Sequence, residues 1–168
     1  MPLDRFAASW REEYVSSASA AHHATDEGAC VFCRFANEEV SESTGVLLRS
    51  GETFVILNAF PYGSGHLLVV PRRHVAAIEE LNEDEYADFF WTLRKTVVAL
   101  KATYGPDGMN IGFNLGRAAG AGIPKHLHSH VLPRWNGDTN FMTSIGETRV
   151  LPESLASTWE KVHVHLEP

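Results

Sequence analysis

Cysteine is scarce in this 168-residue chain: there are two, Cys30 and Cys33, with only two residues between them. A bridge across so short a loop staples nothing distant, so structural disulfides are not expected and the pair reads as a metal knuckle or a redox pair. Long apolar runs are absent as well. No stretch approaches the roughly 20 residues that cross a bilayer, and the opening MPLDRFAASW has no hydrophobic signal segment. A cytoplasmic protein without a membrane partner is the expectation. Basic charge is the third scarcity, with 14 Lys and Arg against 21 Asp and Glu and a net charge of −7. Coating nucleic acid requires a basic face, so nucleic acid is not an expected partner. A small anionic ligand remains compatible, because a pocket can be positive on an acidic protein.

With 44% hydrophobic residues the chain can bury one sizeable core. Phe6, Trp10 and Tyr14 recur every four residues, and the small, polar residues 16–28 follow, so residues 1–29 are expected to form an aromatic or helical arm and a flexible loop. The domain proper is expected over 30–168. VLLR and FVILN flank Ser50-Gly51 as a hairpin; Leu67 to Val70 is an apolar strand stopped by Pro71; GMNIGF alternates as another strand. The 3.6-residue apolar repeat from Glu83 to about Tyr104 predicts a long helix, and Pro152 is expected to open a C-terminal helix running to about Val162. Runs of strands around one long helix predict an α+β domain with about five antiparallel strands.

What is abundant is histidine in one place. Of nine histidines, His126, His128 and His130 alternate within HLHSHVLPRW, so in an extended strand they share one face. Such a row is open to three readings: packed or solvated rings, a metal site with an open position for water, or a nucleophile for phosphorus whose neighbours fix its tautomer. The preceding GRAAGAG suits phosphate, because glycines let backbone N–H groups turn inward and approach an anion closely.

HLHSHVL resembles the motif of the histidine-triad (HIT) superfamily of nucleotide hydrolases and transferases. LNAFPYGSGHLLVVPRRH and GFNLGRAAGAGIPKHLH are similar to its other two segments in order and spacing, and the likeness spans about Cys30 to Phe141. RWNGDTNF and IGETRVLPE are similar to the bacterial branch that includes diadenosine tetraphosphate phosphorylases. The resemblance implies a HIT-like fold, a homodimer and cleavage of a nucleoside 5′-phosphoryl bond through a nucleotidyl-histidine on His128. The substrate class it implies is a dinucleoside polyphosphate or a nucleotide phosphoramidate. His130 would then hydrogen-bond the bridging or phosphoryl oxygens and help protonate the leaving group. Asn114 would contact phosphate or ribose and Asn58 the ribose, Gly120, Ala121 and Gly122 would cradle phosphate, and Leu57 or Phe60 would flank the base, with Leu67 expected in the core.

Zinc-bearing relatives join a Cys-x-x-Cys pair to a histidine after the VVP strand and to the first triad histidine. Carried over, the ligands of a closed, structural zinc site are Cys30, Cys33, His74 and His126. Two positions depart from the pattern. Ser129 stands where the motif has an apolar residue, and Gly122 stands where many relatives have Gln or Ser. Two further readings are a hydrolase in which the triad itself holds a catalytic metal, and a nucleotide-binding protein without turnover.

Overall fold

The computed structural model describes residues 30–139 and 153–166. The expected arm and loop over 1–29 lie outside the described residues, as do Phe141 and Pro152.

Five strands form one antiparallel sheet in the order β1-β2-β3-β5-β4. They are β1 (Val46–Arg49), β2 (Thr53–Leu57), β3 (Leu67–Pro71), β4 (Gly108–Phe113) and β5 (Ser129–Arg134). The sequences of β2 and β3, TFVIL and LLVVP, are buried throughout because both faces of the central sheet are covered. One face carries Val55, Leu57, Leu67, Val69 and Val131 against Phe89, Leu93 and Leu100 of the long helix. The other carries Phe54, Ile56, Leu68 and Val70 against Phe32 and Ala36. Leu57 and Leu67 therefore belong to the helix-side core, the place expected for Leu67; for Leu57 this corrects the expectation that it flanks a base.

The long helix α2 (Glu83–Tyr104) spans the range its periodicity predicts. Asn82 caps it: its Oδ1 accepts the Glu85 N–H at 2.9 Å, and the Glu85 carboxylate accepts the Asn82 N–H at 2.9 Å. Gly105 ends it in the left-handed region. Glu85 is buried and receives both arms of Arg73, with Nη2 to Oε2 at 2.7 Å. That hydrogen bond holds the Glu85 carboxyl below its ordinary range and ties the start of α2 to the residue before His74.

A short helix α1 (Val31–Phe35) begins directly after Cys30, a turn that the Cys-x-x-Cys spacing alone did not reveal. The C-terminal helix α3 (Leu155–His163) starts after Ser154, whose hydroxyl accepts the Ser157 N–H. Trp159 of α3 donates its indole N–H to the Val46 carbonyl at 3.0 Å, fixing α3 against β1.

The loop between β2 and β3 turns on Gly65, where φ is +72° and an added Cβ would lie 2.8 Å from Tyr104 Cε2 and 2.9 Å from Pro133 Cγ. Left-handed backbone and a filled space both demand glycine there. Gly65→Ala is expected to destabilise the fold by about 1–3 kcal/mol, read as a lower denaturant midpoint with an unchanged slope.

Candidate metal centre and histidine site

The three alternating histidines are only partly a strand feature. Strand β5 begins at Ser129, so His130 alone lies within it, while the His126 N–H closes a turn onto the Ile123 carbonyl and His128 lies in the lead-in. The rings consequently diverge. His126 turns toward the cysteines, whereas His128 and His130 meet edge to face with centroids 5.1 Å apart.

His126 joins three segments. Its Nε2–H donates to the Pro71 carbonyl at the end of β3 at 2.8 Å, which leaves Nδ1 as the lone-pair nitrogen. That Nδ1 lies 3.3 Å from Cys30 Sγ and 3.6 Å from Cys33 Sγ, and His74 Nδ1 lies 3.1 Å from Cys33 Sγ. All four ligand atoms fall within 4.8 Å of one another. A tetrahedron built on bonds of ~2.0–2.3 Å has edges of roughly 3.3–3.8 Å, so the cluster has the size and donor set of a four-coordinate metal site. The carbonyl on Nε2 is the outer partner that such a histidine requires. Cys30, Cys33, His74 and His126 can hold a metal ion.

His128 is outside that cluster. Its Nδ1 lies 2.8 Å from the His126 carbonyl, which can only accept, so Nδ1 carries the proton and Nε2 the lone pair. Phe32 packs on both rings, with centroids 5.4 Å from His126 and 5.1 Å from His128. Burial leaves His128 only 6% exposed.

The tautomer of His130 is fixed from further back. The Tyr62 backbone N–H donates to His66 Nδ1 at 3.0 Å, so His66 bears its proton on Nε2 and donates to His130 Nδ1 at 2.9 Å. His130 is left with Nε2–H; Asn114 Nδ2, itself a donor, lies 3.5 Å away and does not accept it. His66 is thus the orienting partner of the third histidine. The pairing was not visible in the sequence because 64 residues separate the two rings.

Beside His130 the sheet is open. His130 stands opposite Leu68 on β3 and Gly112 on β4, and Asn110 and Gly108 follow on the same face. A Cβ at Gly108 or Gly112 would meet nothing within 4 Å, so the sheet surface above both glycines is open. Arg134 borders it, bonded to Asn110 Oδ1 at 2.6 Å and to Asp138 Oδ1 at 2.7 Å.

The Gly-rich loop is partly closed on itself. The Gly120 N–H donates to Arg117 O at 2.9 Å and the Ala121 N–H to Gly116 O at 3.3 Å, so two of the three amides assigned to phosphate are used within the loop. Among the described residues the Gly122 N–H makes no such backbone bond. Asn58 is likewise engaged locally: its Oδ1 accepts the Phe60 N–H at 3.0 Å and its Nδ2 lies 3.3 Å from His66 Nδ1. Ser129 is fully buried, and its hydroxyl reaches the Gly112 and His130 carbonyls only at 3.4 Å.

Residues 40–137 match the family model described as "HIT domain". The chain belongs to the HIT domain family. It is 40% identical over 121 residues to a Mycobacterium tuberculosis protein named "AP-4-A phosphorylase", covering 71% of this chain and 62% of that relative. It is 38% identical to an uncharacterised HIT-like protein of Methanocaldococcus jannaschii over 65% of this chain and 81% of that one. Its fold matches a Zn-bound histidine triad family protein from Mycobacterium smegmatis with a TM-score of 0.66 and 25% identity, covering 84% of this chain and 95% of that one. The chain thus spans about three-fifths of the length of the M. tuberculosis relative.

Within this HIT domain, burial drives all three triad rings toward the neutral form. It pushes His126 and His130 down to about 4 and lowers His128, each from an ordinary value of 6.5. In the unfolded chain these rings take up protons as the pH drops below about 6.5, whereas in the fold they resist. Their contribution to stability is therefore present above pH 6.5 and lost as the pH falls toward 4. The thermal midpoint is expected to fall progressively across that window, measured by circular dichroism; a midpoint constant from pH 7 to 4 would contradict the burial argument.

Proposed function

We propose that this chain is a nucleotidyl-transferring HIT enzyme that cleaves a nucleoside 5′-phosphoryl bond in a dinucleoside polyphosphate through a covalent adduct on His128. The observation that carries this reading is the bond from His128 Nδ1–H to the His126 carbonyl, in a ring outside the metal cluster. The Nε2 lone pair attacks phosphorus and forms an N–P bond while the P–O bond to the leaving group breaks, its electron pair departing on oxygen. The charge acquired by the ring is shared through Nδ1–H with the carbonyl. Water or phosphate then attacks phosphorus, the N–P pair returns to Nε2, and an attacking water gives its proton to solvent.

His130 serves as a hydrogen-bond donor to the phosphoryl or bridging oxygen through Nε2–H. It is poorly suited to giving the proton away, because its Nδ1 already accepts from His66 and the ring is neutral. An amine leaving group must gain a proton to depart, whereas a polyphosphate leaves as an anion. The same arrangement therefore favours a dinucleoside polyphosphate over a phosphoramidate, in agreement with the name of the M. tuberculosis relative. Asn114, Asn58 and the Gly122 N–H are assigned to phosphate and ribose.

The metal is zinc and its role is structural, since two thiolates and two imidazoles close the coordination shell. When bound it supplies no chemistry to the substrate; it joins α1, the end of β3 and the segment leading to His128. The working unit is a homodimer, for which the outer strand β4 with exposed Ile111 and the α2 face bearing exposed Trp91 and Val98 are the available surfaces.

Two experiments test this. His128→Asn should lower turnover of diadenosine tetraphosphate by at least about 10³-fold with a retained fold, and near-normal turnover would remove the mechanism. Metal analysis of protein purified without chelator should find one zinc per chain, and chelation should lower the thermal midpoint before it lowers the rate constant. Immediate loss of activity at unchanged stability would instead favour a catalytic metal.

A further inference from the structure

The two histidines of the metal cluster are held in different ways. His126 has an outer partner on its own ring, the Pro71 carbonyl on Nε2. His74 presents Nδ1 to Cys33 Sγ at 3.1 Å, and among the described residues its Nε2 makes no hydrogen bond. An imidazole without an outer partner keeps its rotamer freedom, so the aim of His74 depends on where its backbone is held.

That backbone is fastened on both sides. Before it, Arg73 directs its fork to Glu85, with Nη2 to Oε2 at 2.7 Å, and Nη2 also donates to the Glu80 carbonyl at 2.7 Å. After it, the Val75 carbonyl accepts the Leu127 N–H, and the Ala76 N–H donates to the Glu80 carboxylate at 2.8 Å. Of these ties, Arg73–Glu85 is more than a helix start requires. A capping box is complete with an exposed carboxylate, whereas Glu85 is only 4% exposed and its Oε2 accepts from both Arg73 and the Asn82 N–H. A buried ion pair adds little to stability, and its best-attested use is to fix one geometry among several. The geometry within reach here is that of the next residue: Arg73, His74 and Cys33 line one cleft of about 490 Å³.

We propose that Arg73 and Glu85 are positioning residues of the metal centre, which fix the backbone at His74 and so hold its Nδ1 at ligand distance from Cys33. This rests on the metal assignment given under Proposed function and extends it from the four ligands to a pair that supplies none. Sign separates positioning from charge. Arg73 is a cation beside a cation site, so by Coulomb's law alone its removal would tighten metal binding. By positioning, its removal weakens binding, because a ligand free to wander must be ordered when the ion arrives.

Challenging zinc-loaded, full-length protein with graded amounts of a chromophoric chelator gives the zinc affinity of each variant. Arg73→Gln and Glu85→Gln should each weaken zinc binding by about 10- to 100-fold, and the double variant by no more than the larger single effect, since both break one pair. Asn82→Ala is the control. It removes the cap of the same helix end and lowers the denaturant midpoint while leaving Arg73 on Glu85, so its zinc affinity should equal that of wild-type protein. Cobalt-substituted protein reads the geometry directly: wild-type and Asn82→Ala should share the visible bands of a four-coordinate site with two sulfurs and two nitrogens, and Arg73→Gln should shift and weaken them. The Arg73 side chain is half exposed, so its variant keeps the test informative if Glu85→Gln does not fold.

An affinity unchanged or tightened in Arg73→Gln would overturn the positioning role. So would equal weakening in Asn82→Ala, which would make the effect one of general stability, or a double variant weakened by the product of the single effects. If wild-type protein retains zinc and Arg73→Gln retains it equally, the metal centre stands and the positioning role fails. A wild-type protein that holds no metal removes the metal assignment, and the pair then has nothing to position.

Discussion

The placement of the site depends on a single imidazole used at both nitrogens. His126 gives its Nε2–H to the Pro71 carbonyl and turns Nδ1 to Cys30 and Cys33, so one side chain ties the end of β3 to the start of α1. The chain then has only Leu127 to cross before His128, whose Nδ1–H returns to the carbonyl of that same His126. The N–H of Leu127 is held too, by the Val75 carbonyl at 2.6 Å. The orientation of His128 is therefore inherited from the metal-ligand segment through two backbone positions, with little freedom left between them.

A second constraint comes from the opposite direction. Gly65 turns the β2–β3 loop so that His66 reaches His130, and the Tyr62 N–H decides which nitrogen of His66 bears the proton. Two backbone groups, the His126 carbonyl and the Tyr62 amide, thus set the tautomers at His128 and His130. Backbone groups are suited to this work because their donor or acceptor character does not change with pH, whereas a side-chain partner could titrate along with the ring it is meant to fix.

Much of this was legible in the sequence, and the limits are physical. Helix α2 was readable from the apolar repeat Phe89, Leu93, Leu100 because a helix buries one stripe, and β2 and β3 were readable as short apolar runs. The clustering of Cys30, Cys33, His74 and His126 followed from family resemblance, since spacing alone left a knuckle with no second pair. What could not be read was the direction of each group. Alternation suggested three imidazoles in a row, yet a turn at His126 lies outside the strand and swings its ring away. Glycine content suggested a phosphate cradle, yet whether an amide points outward or bonds Gly116 or Arg117 depends on the local turn. The His66–His130 pair and the open face over Gly112 arise from strand register, which no local pattern encodes.

The smaller of the two cores has an unusual cover. On the helix side the sheet is sealed by α2 and α3, but on the other side Phe54, Ile56, Leu68 and Val70 are roofed by Phe32 and Ala36 from a five-residue helix and the residue after it. A helix so short has little tendency to persist by itself. Cys30 precedes that helix and Cys33 lies within it, so an ion held by the Cys30, Cys33, His74 and His126 cluster would brace the lid on this core. If such an ion is what secures the lid, newly made chains lacking it would display β-rich apolar surface and be drawn toward aggregation or chaperone capture.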